Sequence, residues 1–258
     1  MLRRLLVLLP VFLYSILSAQ ISYTTLNAHS HNDYEQKVPF EWAYNAHFGS
    51  IEADIWAVNG ELFVAHNRNQ IAPEKTLDAL YIQPIVAKFT GNKGKAWKDQ
   101  EGTFQLLIDL KTPVEPTLSL LTEKLKKYPE VFDPTVNPNA VKLVITGNRP
   151  NPEQFGNYPG FIFFDGLLNL NYDEPQLKRV ALFSDNLMNH TSWKGVGNIP
   201  ANDLRKLTQV IDSVHQLNRP IRFWNAPDTT TTWQLFKNWN IDIINTDHIQ
   251  ELESFLKK

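Results

Sequence analysis

Residues 50 to 56, Ser50-Ile-Glu-Ala-Asp-Ile-Trp56, read as a β-strand with two acids on one side. Side chains alternate along a strand, so Ile51, Ala53 and Ile55 share one face while Glu52 and Asp54 share the other. Acids on an edge strand facing water satisfy the pattern; acids inside a barrel need a compensating cation. The flanking segments repeat the arrangement. Asn27-Ala-His-Ser-His-Asn-Asp-Tyr34 precedes it and Leu62-Phe-Val-Ala-His-Asn67 follows it, each placing ionisable side chains where an apolar run gives way to a loop. As parallel strands of one barrel, these runs would bring two or three histidines and two carboxylates to a single mouth.

Working outward, short apolar runs alternate with longer amphipathic ones, the pattern of βα units around a parallel sheet. Eight strands are expected, at Thr24–His29, Ser50–Ile55, Phe104–Lys111, Val141–Thr146, Gly160–Phe164, Val180–Ser184, Ile221–Trp224 and Ile241–Asn245. Leu62–Ala65 follows the turn signal Asn59-Gly60 and is read as a hairpin excursion rather than a barrel strand. Helical spacing marks Pro39–Phe48, Thr76–Phe89, Pro116–Tyr128, Ala201–Leu217, Thr229–Trp239 and Ile249–Leu256. In the longest, Leu204, Leu207, Val210, Ile211, Val214 and Leu217 form one apolar stripe that suits packing on a sheet. The fold class is therefore α/β, an irregular (β/α)8 TIM barrel in a single domain. It is irregular because Pro150–Tyr158 and Asn169–Lys178 are too poor in helical pattern for ordinary crossovers. Active sites of such barrels lie at the C-terminal ends of the strands.

At the N-terminus, Arg3 and Arg4 precede the apolar run Leu5 to Leu17 and the small residues Ser18 and Ala19. This reads as a signal peptide over 1–19 that leaves a domain over 20–258, and hence as an exported, periplasmic or secreted protein. The run is shorter than a membrane span, so no stable membrane anchor is expected after cleavage. The 43% hydrophobic content is enough for a large core, and the net charge of −2, with charges scattered, gives no support for nucleic-acid binding. There is no cysteine, so no disulfide. A monomer is expected.

Glu52 and Asp54 suit an oxygen-loving cation such as Mg²⁺ or Ca²⁺. In Leu106-Leu-Ile-Asp-Leu-Lys111, Asp109 and Lys111 share a face and offer either a third carboxylate with a cation for an anionic group, or a plain salt bridge. His29 and His31 share a face, and His66 lies 12 residues beyond Asp54. Histidines titrate near neutrality, so one can accept a proton while another donates one. His47, His190, His215 and His248 are read as structural. Trp224, Asp247 and an arginine reaching the same mouth would suit a phosphate ester with an apolar or sugar-like group.

In order and spacing these residues resemble the phospholipase-C-like phosphodiesterases, which include glycerophosphodiester phosphodiesterases, phosphatidylinositol-specific phospholipase C and sphingomyelinase D. The matching segments are Ala28-His29, Gly49-Ser-Ile-Glu52-Ala-Asp54, Gly60 to His66, Ile108-Asp109-Leu-Lys111, Phe223-Trp224 and Ile241 to Asp247. His29-Ser-His31-Asn-Asp-Tyr34, with Thr146-Gly-Asn-Arg-Pro150 and Trp193-Lys-Gly195, is most similar to a branch that includes a fungal mitochondrial-inheritance protein. The resemblance implies a metal-dependent phosphoric diester hydrolase acting on glycerophosphodiesters or phospholipid-derived diesters. Glu52, Asp54 and Asp109 would hold the ion, His29 and His66 would be the acid/base pair, and Lys111 and Trp224 would line the phosphate and leaving-group site. The chain has His29-Ser-His31 where the glycerophosphodiesterases carry His-Arg-Gly, so His31, Asn32 or Arg149, and Arg222, are candidates for phosphate contacts. Either His29 or His31 is the catalytic one. Two other readings compete: a zinc amidohydrolase or phosphoesterase barrel using His29-x-His31, and a barrel that binds a phosphorylated ligand without turnover.

Overall fold

The computed structural model describes residues 22–258, so the expected leader at 1–19 lies outside the described residues. The strands are β1 Ala28–Ser30, β2 Ser50–Val58, β3 Glu61–Val64, β4 Gln105–Leu110, β5 Lys142–Gly147, β6 Ile162–Gly166, β7 Val180–Asn186, β8 Ile221–Trp224 and β9 Ile243–Thr246. Eight of them pair in parallel in the order β1-β9-β8-β7-β6-β5-β4-β2, and β1 also pairs with β2, closing the barrel. The ninth, β3, lies antiparallel on β2 outside the ring. The turn between them is the expected Asn59-Gly60, both with positive φ, 51° and 82°, as a tight hairpin requires.

The helices are α1 Glu41–Asn45, α2 Gln83–Gly91, α3 Val114–Leu125, α4 Pro129–Phe132, α5 Glu174–Lys178, α6 Ala201–Gln216, α7 Thr230–Asn238 and α8 Ile249–Leu256. In α6, Leu207, Ile211 and Val214 of the expected stripe are buried, whereas Leu217 lies past the last turn and is exposed. The two gaps without helical pattern hold a 3-10 stretch, Pro152–Asn157, and the five-residue α5.

Three boundaries differ from expectation for local reasons. The segment expected to open the first strand is a 3-10 turn, Thr25–Asn27, capped by Thr24, whose hydroxyl accepts the Leu26 N–H, and by Asn27, whose side chain accepts the Thr24 N–H; such short polar side chains compete with strand pairing. The helix expected from Pro39 is reduced to α1, because Phe40 takes a positive φ of 63° and cannot join it. Before α2 the chain makes a π-type turn, Asp78–Ile82, where Pro84 has no N–H to offer the preceding turn.

Alternation along the strands sends one set of side chains to the barrel interior and the other to the helices. Ile51, Ala53 and Ile55 join the large outer core. Leu107, Val144, Ala181 and Leu182 form a separate small cluster, with Phe163 and Ile243 against it, that plugs the barrel. Above this plug the inward positions turn polar, and the site is built there.

Candidate active site

Asp54 and Asp109 are register neighbours on β2 and β4, and Glu52 lies one inward position below Asp54. Their carboxylates can bring one oxygen each to within 4.8 Å of one another. Three like charges at that spacing repel, and the protein supplies only part of the compensation. Lys111 Nζ lies 2.9 Å from both Asp54 Oδ2 and Asp109 Oδ2, and an Arg222 amine lies 3.1 Å from Glu52 Oε2. Burial would raise the Glu52 carboxyl, but the His29 hydrogen bond and Arg222 hold it below its usual range. Asp54 behaves oppositely: burial and the Asp109 charge push it up to about 6 against the pull of Lys111. Its Oδ1 is buried with no hydrogen-bond partner among the described residues. Three carboxylates, one carrying a bare buried oxygen, are a donor set that fits a hard divalent cation. Gly147 makes room for it: with φ of +68°, it sits where an added Cβ would come 2.0 Å from Asp109 Oδ1.

The histidines divide. His29 is fully buried. Gln105 donates to Ser50 Oγ at 2.9 Å, Ser50 Oγ lies 2.7 Å from His29 Nδ1, and His29 Nε2 lies 2.8 Å from Glu52 Oε2. His29 Nε2 also lies 2.6 Å from an Arg222 guanidinium nitrogen, so the ring is held between Ser50 on one side and Glu52 with Arg222 on the other. Burial and the neighbouring Arg222 lower the His29 pKa to about 4, so the ring is a neutral support for Glu52. His31, in contrast, lines the open cavity above the carboxylates. Its Nδ1 is 2.8 Å from Asp247 Oδ1; burial lowers its pKa, but Asp247 and the charge of Glu52 outweigh this and raise it. His66 follows β3, lines the same cavity, and has Nδ1 3.3 Å from Asp54 Oδ2.

The cavity holds about 390 Å³ and also takes in Asn32, Lys111, Arg149, Asp165, Arg222 and Trp224. Thus, of the residues expected from the sequence at this mouth, all but His29, Asp54 and Asp247 line it directly, and those three are in contact with residues that do. Trp224, 39% exposed, forms part of the rim. A larger hollow of about 490 Å³ beside α3 is lined by Glu115, Glu123, Lys126 and Tyr158. Among the described residues, the set of ionisable groups that converges on a cavity is the one at the barrel mouth. Among the described residues no metal-capable cluster joins His29 to His31, and their partners differ, so nothing supports the zinc reading.

Sequence reasoning missed several participants. The Tyr34 hydroxyl lies 2.7 Å from Asp54 Oδ2 and 2.8 Å from Asn32 Oδ1; its position at the end of the His-Ser-His-Asn-Asp-Tyr run was the available signal. Asp33 is fully buried and accepts from Ser30, Tyr81 and the Phe40 N–H, which fixes the loop carrying His31. Asp165 and Ser184 had no signal beyond lying at or next to strand ends, whereas Thr146 opens the Thr146-Gly-Asn-Arg-Pro150 segment.

The first part of the chain, residues 18–165, matches the family model of the AIM6-like phosphodiesterase domain. Among curated proteins the chain is similar to "Altered inheritance of mitochondria protein 6" of Eremothecium gossypii, 24% identical over 88% of this chain and 68% of that one. The protein of the same name from Kluyveromyces lactis is 26% identical over 89% and 72%, and that from Saccharomyces cerevisiae 29% over 86% and 68%. These relatives are named for mitochondrial inheritance in yeasts, which points to a cellular role and corrects the expectation of an exported protein. Among solved structures, a glycerophosphodiester phosphodiesterase from Parabacteroides distasonis superposes with a TM-score of 0.55 at 13% identity, over 90% of this chain and 96% of that one. A phosphodiesterase from Oleispira antarctica in complex with the product sn-glycerol-3-phosphate gives 0.52 at 12%, with the same coverage. Both show the TIM-barrel fold. With its family model covering more than half its length, the chain belongs to the AIM6-like phosphodiesterase domain family and is a phosphoric diester hydrolase.

Proposed function

We propose that residues 20–258 form one catalytic unit that cleaves small glycerophosphodiesters or phospholipid-derived diesters with the help of one divalent cation, Mg²⁺ or Ca²⁺. The observation that carries this reading is the carboxylate trio, with its unpartnered Asp54 oxygen, next to a cavity into which two histidines open. Glu52, Asp54 and Asp109 would hold the ion. When bound there, such an ion polarises phosphoryl oxygens and offsets the carboxylate charge.

The chain's own groups supply the rest. Asp247 orients His31 and favours its protonated form, so His31 is the general acid that gives a proton to the departing alkoxide. His66 takes the proton of the attacking hydroxyl, which belongs either to water or to the substrate. Lys111, Arg149 and Arg222 set positive charge around the phosphate, Asn32 adds a polar contact, and Trp224 offers an apolar wall to the alcohol. His29 supports Glu52 from below. The Oleispira phosphodiesterase was solved with a glycerol phosphate product, which is in keeping with a substrate of this size.

The test is a panel of phosphodiesters incubated with the purified chain and each cation, with products identified by phosphorus NMR. Open-chain phosphomonoesters indicate water as nucleophile and cyclic phosphates an internal hydroxyl. No cleavage of any diester with either cation would sink the proposal.

A further inference from the structure

The barrel has a second opening, at the end away from the carboxylate trio. Lys142 begins β5 two residues before Val144, and alternation sends both side chains inward. Val144 belongs to the plug, so Lys142 lies beneath it. A cavity of about 150 Å³ is lined there by Lys142, Gln105, Ser50 and Thr103, with Ala181 and Ile243 as apolar wall. Lys142 is half-buried. Burial, and then repulsion from the neighbouring Arg219, lower its pKa, and among the described residues no acid pairs with it. An ammonium partly withdrawn from water with no counter-charge is costly to the folded state, and none of the chemistry at the mouth uses it.

The walls select what relieves that cost. Gln105 is the register partner of Lys142 across β4 and β5, and Ser50 is that of Gln105 across β2 and β4. Gln105 Nε2 gives one N–H to Ser50 Oγ at 2.9 Å, which leaves its second N–H to donate, and Thr103 adds a hydroxyl to the same wall. An ammonium, an amide N–H and a hydroxyl together make a positively charged donor set, which suits an anion with several accepting oxygens. The charge of Arg219 reinforces that preference and repels a cation. Volume sets the size: the cavity has room for about five waters, enough for a small oxyanion and too little for a lipid headgroup with its glycerol. Leu107, Val144 and Leu182 of the plug separate this space from the mouth.

We propose that this basal cavity is an anion site for a small oxyanion of the inorganic phosphate type, held by Lys142 with Gln105 and Thr103 and distinct from the phosphate-handling groups at the mouth. Inorganic phosphate is the probe, and acylation of amines in the purified chain, read lysine by lysine by mass spectrometry, reports where it binds. At about ten times its Kd, phosphate shields Lys142 by about tenfold, while the exposed Lys206 keeps its labelling. Lys111→Gln, which disturbs the mouth, leaves the shielding of Lys142 intact. Lys142→Gln removes an unpaired charge, so in phosphate-free buffer it melts no lower than wild type. Calorimetry then shows its basal affinity for phosphate reduced by about ten- to a hundredfold, as for the loss of a hydrogen bond to a charged group. Labelling of Lys142 that phosphate leaves unchanged, or a Lys142 that the reagent does not reach even without phosphate, would overturn the proposal. So would shielding that disappears in Lys111→Gln, which would put the anion at the mouth, or a Lys142→Gln chain that binds phosphate as the wild type does.

Discussion

Asp54→Asn separates the cation from the rest of the site. Asp54 is 1% exposed, and burial with the adjacent Asp109 raises its carboxyl from 3.8 to about 6. A carboxyl whose folded pKa lies above its unfolded value burdens the folded state: the cost is absent below about pH 4, where it is protonated in both states, and complete above about pH 6. A little over two pH units at about 1.4 kcal/mol each makes that burden about 3 kcal/mol. The cation-free chain is therefore expected to melt higher at pH 5 than at pH 8. Cation at about 100 times its Kd adds about 2.7 kcal/mol, which for a chain of this size raises Tm by roughly 5 to 10 °C at pH 8. Asp54→Asn removes the buried charge, so without cation at pH 8 it melts no lower than wild type, shows a flatter pH dependence, and does not respond to cation. Scanning fluorimetry at the two pH values, with chelator, Mg²⁺ or Ca²⁺, reads all of this. A wild-type Tm that no divalent ion moves at pH 8, or a cation response that survives in Asp54→Asn, would refute the ligand assignment.

Three further outcomes follow from the geometry. His66→Ala and His31→Ala each lower turnover by about 10²- to 10⁴-fold with the cation-induced rise in Tm intact, whereas His29→Gln weakens cation affinity by about 10- to 100-fold and keeps turnover at saturating cation; steady-state kinetics beside calorimetry would expose the opposite pattern. Because Asp247 helps to raise the His31 pKa, and a general acid is lost as pH rises through that value, Asp247→Asn moves the alkaline limb of kcat/KM to lower pH; an unmoved limb removes His31 as the acid. Gly147→Ala costs about 1 kcal/mol from its left-handed backbone wherever it is made, but it weakens cation binding further only while Asp109 is present, and a double-mutant cycle with Asp109→Ala showing no coupling would dismiss the collision.

Strand ends were legible in the sequence because period-two alternation and inward acids occur together in Ser50–Trp56 and again in Leu106–Lys111. The Asn59-Gly60 signal likewise located the hairpin, since few residue pairs tolerate two positive φ values. The histidine pair was not legible. His29 and His31 share a face by alternation, yet β1 ends at Ser30, and His31 leaves the barrel on a loop steered by Asn32, whose φ is positive at 44°. Which of two neighbouring histidines meets solvent is decided by such a turn and by distant partners, Ser50 for one and Asp247 for the other. Asp165 was missed for a related reason: its contacts lie 19 residues away, in Thr146 and Ser184, which no local pattern records; Tyr34, whose partner Asp54 is 20 residues away, was marked only by its place at the end of the His-Ser-His-Asn-Asp-Tyr run.

The division of the barrel mouth has a consequence for how such a protein diversifies. Residues 29 to 111 supply the trio, the three central histidines and Lys111, whereas Thr146 to Trp224 supply Arg149, Asp165, Ser184 and the aromatic rim. Most reactive groups and most recognition groups thus occupy consecutive lengths of chain, joined where Arg222 meets Glu52 and where Thr146 pairs with Asp109. A chimera that keeps the first length and exchanges the loops after β5 to β8 retains its chemistry while acquiring another alcohol, so new substrates can arise by recombination in the later half without reopening the reaction itself.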